Sequence, residues 1–140
     1  MGGLGAELAG PLSALGRVVA VPKILLVDDD MGLRRLVRLT LGPEYDVFEA
    51  NDGQEAIEVA RREHPDLVFM DIRMPRLSGY EACRMIKGSP DTSSAKVVML
   101  TANARDEDRD FGQSVGADGY MTKPYSPLAL LAKVEELIGV

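Results

Sequence analysis

The sequence predicts a doubly wound α/β domain built on a five-stranded parallel sheet, and three observations lead there. Short apolar runs alternate with amphipathic stretches along the chain. No connection between them is long. The run Leu67-Val68-Phe69-Met70 stops on Asp71 and turns at once through Ile72-Arg73-Met74-Pro75 and Ser78-Gly79. A continuous apolar run of that length, bounded by turn residues, reads as a strand buried on both faces. Strands alternating with helices imply right-handed crossovers, and for five strands the order 2-1-3-4-5.

The elements follow in order. Ile24-Leu25-Leu26-Val27 is a strand that ends in Asp28-Asp29-Asp30. Leu33, Leu36, Val37, Thr40 and Leu41 repeat at three and four, an amphipathic helix stopped by Gly42-Pro43. Residues 45–50 alternate and read as a second strand; Asn51-Asp52-Gly53 is a turn, and Ala56, Ile57, Val59 and Ala60 mark a helix running to Glu63. His64 and Pro65 separate it from the strand that ends at Asp71, with His64 in a cap or surface role. Ser78 caps the next helix, with Glu81 at the capping-box position. Residues 97–101 form a fourth strand, residues 106–115 a charged helix of low apolar content, and residues 120–123 a brief fifth strand. Ser126 then caps a final helix that has Pro127 at its first position.

Residues 1–22 read as an N-terminal extension, either flexible or a short helix. Leu8, Leu12, Leu15 and Val19 have helical spacing, but Gly5, Gly10 and Gly16 weaken it. Residues 23–140 are the domain. A chain of 140 residues, 46% hydrophobic and 27% charged, can bury such a core without staples. The net charge of -6 argues against nucleic acid, which needs a basic face. No run is long enough to span a membrane. The single cysteine, Cys83, fits a reducing, cytoplasmic setting and a buried structural role.

In a parallel sheet every strand's carboxyl end lies on one edge. Asp28-Asp29, Asp71, Thr101 and Lys123 each follow or end a strand there, and neighbouring tips are about 4.8 Å apart. Carboxylates crowded together repel, by about 4 kcal/mol for two charges at 4 Å and an effective dielectric of 20. A divalent cation relieves this, and hard oxygen donors select Mg²⁺. A carboxylate can also be the nucleophile that forms an aspartyl phosphate. Mg²⁺, the Lys123 ammonium and the Thr101 hydroxyl would then each hold one phosphoryl oxygen.

Taken together, Ile24-Leu25-Leu26-Val27-Asp28-Asp29, Met70-Asp71-Ile72-Arg73-Met74-Pro75 with Ser78-Gly79, Leu100-Thr101-Ala102 and Lys123-Pro124 resemble the receiver domain of two-component response regulators. The resemblance covers residues 23–139 and is to the stand-alone, chemotaxis-receiver kind. It implies a flavodoxin-like fold with Asp71 as phosphoacceptor. Asp29 would bind Mg²⁺ directly, Asp28 largely through water, and the backbone carbonyl of Arg73 would be a third protein ligand beside Asp71. Lys123 and Thr101 would contact the phosphoryl group, and the Lys123–Pro124 bond would be cis. Thr101 and Tyr120 would form a switch that changes the face made by the fourth helix, fifth strand and fifth helix. The implied partners are a sensor histidine kinase or phosphotransfer protein and a downstream target protein, with the chain a monomer or weak homodimer. Beyond self-phosphorylation and self-dephosphorylation no enzyme activity is expected.

Arg73 and Asn103, two residues past Asp71 and Thr101, are positions that tune phosphate lifetime in relatives. Asp30 is read as a helix N-cap, since the helix begins there. Two other functions were weighed. An aspartyl-phosphate phosphatase of the haloacid dehalogenase type wants a second Asp where this chain has Arg73. A receiver-fold scaffold that no longer takes phosphate would not need all five site residues. With no output domain following the last helix, a stand-alone receiver or an excised domain is expected.

Overall fold

The computed structural model describes residues 12–13, 17–18, 21–102 and 115–139. Five parallel strands form one sheet: β1 (Lys23–Val27), β2 (Asp46–Ala50), β3 (Leu67–Asp71), β4 (Lys96–Thr101) and β5 (Gly119–Thr122). Their spatial order is β2-β1-β3-β4-β5, the doubly wound, flavodoxin-like arrangement predicted above. Four helices are described: α1 (Met31–Leu41), α2 (Gly53–Glu63), α3 (Gly79–Gly88) and the C-terminal α4 (Pro127–Ile138). The helix expected at 106–115 lies outside the described residues except for Val115, and Asn103 lies outside them too.

Side-chain parity sorts the core into two layers. Leu25, Val27, Val68, Met70, Val97 and Met99 face α2 and α3. Ile24, Leu26, Leu67, Phe69, Val98 and Leu100 face the opposite layer, with Val37 and Leu41 of α1 and Leu130 and Val134 of α4. Fully burying an aliphatic or aromatic side chain contributes roughly 1.5–3 kcal/mol, so the β3 run, covered on both sides, anchors the domain.

Local signals hold each helix start. Asp30 Oδ1 accepts from the Leu33 amide at 3.0 Å and Ser126 Oγ from the Ala129 amide at 3.0 Å. Ser78 and Glu81 complete a capping box, each side chain accepting the other's backbone N–H at 3.2 Å. His64 ends α2 in the left-handed region, φ 52°, while its amide donates back to the Ala60 carbonyl.

Two expectations are revised. Gly53 is the first residue of α2, not part of a separate turn, and Asp52 is its N-cap, accepting from the Glu55 amide at 2.8 Å. A Cβ on Gly53 would stand 2.6 Å from the Leu77 carbonyl oxygen, so the close approach of the next loop explains this helical glycine. In the leader, Leu12–Ser13 pairs antiparallel with Arg17–Val18, so these four residues are extended where the leucine spacing pointed to a helix. The rest of the leader expectation lies outside the described residues.

Candidate functional site

The register converges the acids. Val27 pairs with Met70, so β1 and β3 end side by side and Asp28 stands next to Asp71. Oxygens of Asp28, Asp29 and Asp71 lie within 4.8 Å of one another. Asp28 and Asp71 are buried and Asp29 is exposed, which leaves the cluster open on one side. The set offers carboxylate oxygens alone. That donor chemistry fits a hard divalent cation such as Mg²⁺ and does not fit a soft one.

From the far side of the cluster comes Lys123. Its Nζ lies 2.9 Å from Asp71 Oδ2 and 3.2 Å from Asp28 Oδ2. Thr101, at the end of β4, is buried; it pairs in register with Thr122, and its carbonyl accepts from the Lys123 amide at 2.6 Å. That bond continues the β4–β5 pairing past Thr122, and the Lys123 side chain reaches from there to the acids. The Lys123–Pro124 peptide is cis. Tyr120 lies on the α2/α3 side of β5, half-buried against that core layer. Thr101, two positions past Met99, points to the same side by strand parity.

Asp71 sits under opposing influences. Burial pushes its carboxyl above the usual aspartate range, and the charge of Asp28 adds to this. Lys123 and the Arg73 amide, which donates to Asp71 Oδ1 at 3.2 Å, only partly offset the rise. For Lys123, burial disfavours the cation, but the hydrogen bond to Asp71 and the charges of Asp28 and Asp71 outweigh it and raise the ammonium's pKa. The asymmetry follows from numbers: the cation has two acids, whereas Asp71 has a share of one cation. The pocket therefore carries surplus negative charge.

The α3 N-terminus is packed directly behind Asp71. The Gly79 amide donates to the Ile72 carbonyl at 3.0 Å, and a Cβ on Gly79 would stand 2.1 Å from the Asp71 carbonyl oxygen. The glycine after the Asp71 loop, which the sequence offers as turn punctuation, is thus a packing requirement.

Four further contacts escaped sequence reasoning. The Tyr125 hydroxyl donates to Asp28 Oδ2 at 3.2 Å. Arg34 of α1 donates to the Asp28 carbonyl and pairs through Nε with Glu49 at 2.9 Å, and Arg38 joins the same carboxylate at 2.8 Å. The available signals were a hydroxylated aromatic two residues past Lys123 and an Arg on the inner turn of α1.

Acids and an ammonium gathered at the carboxyl edge of a parallel sheet fit a phosphoryl-binding site. The family model for the response regulator receiver domain matches residues 24–135, and the chain belongs to that family. A probable transcriptional regulator ycf27 of Porphyridium aerugineum is 40% identical over 117 residues, 83% of this chain and 48% of that protein. The chain thus spans about half the length of the curated relatives it matches. The solved chemotaxis protein CheY4 of Vibrio cholerae is similar with a TM-score of 0.79 and 32% identity, covering 85% of this chain and all of that one. The receiver domain of sensor histidine kinase PA1611 from Pseudomonas aeruginosa PAO1, solved with a magnesium ion coordinated in its active-site cleft, matches with a TM-score of 0.75 and 32% identity. The match covers 86% of this chain and all of that one. No helix among the described residues is long and apolar enough to cross a membrane.

Proposed function

We propose that this chain accepts a phosphoryl group on Asp71 from the phosphohistidine of a sensor histidine kinase or phosphotransfer protein and passes the signal to a downstream target protein. The observation that carries this reading is the position of the Asp71 carboxyl, buried at its strand tip, paired with Lys123 at 2.9 Å and flanked by Asp28 and Asp29. An Asp71 oxygen attacks phosphorus, the P–N bond breaks, and its electron pair leaves on the imidazole nitrogen; the product is an acyl phosphate. Water later attacks the same phosphorus, returning the carboxylate and inorganic phosphate. Asp29, Asp71 and the Arg73 carbonyl would hold Mg²⁺, with Asp28 acting through water, and the ion would supply positive charge for the phosphoryl oxygens. Lys123 neutralises a second oxygen and the Thr101 hydroxyl donates to a third, so catalysis is positioning and charge neutralisation.

The unit that does this runs over residues 23–140, with residues 1–22 appended. Its setting is the cytoplasm, as a monomer or weak homodimer. Thr101 and Tyr120 share one side of the β4–β5 edge. A shift of Thr101 toward the phosphoryl group gives Tyr120 room to follow, which alters the face around β5 and α4 that the target reads. Arg73 at the second position past Asp71 disfavours a haloacid dehalogenase-type phosphatase, and the assembled acids and lysine disfavour an inert scaffold.

Acetyl phosphate or beryllofluoride with Mg²⁺, added to wild type and to Asp71→Asn, tests the reading. Wild type takes up one phosphoryl group and the variant none. Uptake by the variant, or turnover of a free phosphate monoester, refutes it.

A further inference from the structure

Asp28 is fully buried, so its carboxyl oxygens rely on the donors that reach them. Asp28 Oδ1 accepts from the Asp30 amide at 2.9 Å. Oδ2 accepts from two groups, Lys123 Nζ at 3.2 Å and the Tyr125 hydroxyl at 3.2 Å. Only one of these two is free to leave. Lys123 ends a long flexible stem and is already shared with Asp71. Tyr125 is fixed between Pro124 and Ser126, the N-cap of α4, and packs against the α1/α4 core layer. It also lines a cleft of about 510 Å³ that opens onto Asp28, Asp29 and Lys123.

We infer that Tyr125 is a positioning residue for the phosphoacceptor site: by keeping a neutral donor on Asp28 Oδ2, it lets Lys123 leave Asp28 for the incoming phosphoryl group. This rests on the phosphoacceptor reading above. If Lys123 departs, a buried carboxylate that loses its cation keeps a hydrogen bond on the same oxygen. Without the hydroxyl, Asp28 holds the ammonium more tightly, and the phosphoryl group must compete for it. The Mg²⁺ site is affected differently. Its proposed direct ligands are Asp29, Asp71 and the Arg73 carbonyl, whereas the Tyr125 hydroxyl donates to Asp28.

The test is Tyr125→Phe in the full chain, with Mg²⁺ and beryllofluoride affinities measured separately by titration calorimetry and melting followed in EDTA. The expected result is a split. Beryllofluoride at saturating Mg²⁺ binds about tenfold more weakly, the scale of one hydrogen bond to a charged group, while Mg²⁺ alone binds within about twofold of wild type. In an Asp28→Asn background the same substitution brings no further loss, because the oxygen no longer competes for the ammonium. An unchanged beryllofluoride affinity, an equal fall in both affinities, or the same loss in the Asp28→Asn background overturns the inference. Wild type that binds Mg²⁺ but not beryllofluoride overturns the phosphoacceptor reading itself, and the inference with it.

Discussion

The Gly79 amide donates to the Ile72 carbonyl at 3.0 Å, and this bond seats the first turn of α3 against the backbone of Asp71. In an ordinary helix, Gly→Ala stabilises by up to about 1 kcal/mol. Here the added methyl would stand 2.1 Å from the Asp71 carbonyl oxygen, which is backbone and cannot swing aside. Gly79→Ala is expected to reverse the usual sign and cost about 3 kcal/mol, the upper end for overpacking. Urea denaturation of the two proteins checks it; a stabilised variant would refute the packing argument.

The raised pKa of Asp71 fixes a pH dependence. Burial first, and Asp28's charge with it, make the folded chain hold this proton more tightly than the unfolded chain does. The stability this provides is full below the ordinary aspartate range and is lost as pH rises through the raised value. At neutral pH in EDTA, Asp71→Asn is therefore expected to melt a few degrees above wild type, and the gap should close on acidification. Melting curves across pH 4 to about 7.5 measure this.

Mg²⁺ should stabilise wild type by relieving the same surplus charge, by about 2.7 kcal/mol at a hundredfold excess over Kd. Asp29→Asn should remove most of that gain. The readout is the melting temperature against Mg²⁺ concentration; equal gains in both proteins would argue against Asp29 as a ligand.

Lys123→Ala removes the cation shared by Asp28 and Asp71. Breaking a buried pair costs about 3–5 kcal/mol, but the Lys123 side chain is 26% exposed, so about 2 kcal/mol is expected in EDTA. Millimolar Mg²⁺ should recover much of the loss, since it supplies the missing charge. Denaturation with and without Mg²⁺ separates this from a simple packing defect.

Glu49 gives the opposite pH sign to Asp71. Burial alone would raise its carboxyl, but the bonds from Arg38 and Arg34 outweigh burial and lower it. Its contribution is present above the ordinary glutamate range and lost as pH falls through the depressed value. Glu49→Gln should cost about 1 kcal/mol at neutral pH and flatten the acid limb of the stability curve. By contrast Cys83, whose thiol burial lifts to about 11, should resist alkylation at neutral pH until the chain is unfolded.

Where a residue's role is set by its sequence neighbours, it was legible. The run ahead of Asp71 reads as a doubly covered strand because every one of its side chains is apolar. Asp30, Ser78 and Ser126 read as caps because each stands just before a helical repeat, and each makes that bond. The gathering of Asp28, Asp29 and Asp71 followed from parallel topology alone, which puts all strand ends on one edge. Tyr125 on Asp28 was not legible, since 97 positions separate them and a tyrosine at a helix start has many ordinary uses. Nor was the extended pairing of Leu12 and Val18, where leucine spacing of helical period was misleading.

One amine sits astride two acids at the centre of the sheet, and its own backbone hangs from the last residue of β4. The amine is joined to the end of β5 by its own peptide link, so the pocket and the rim of the sheet are covalent neighbours.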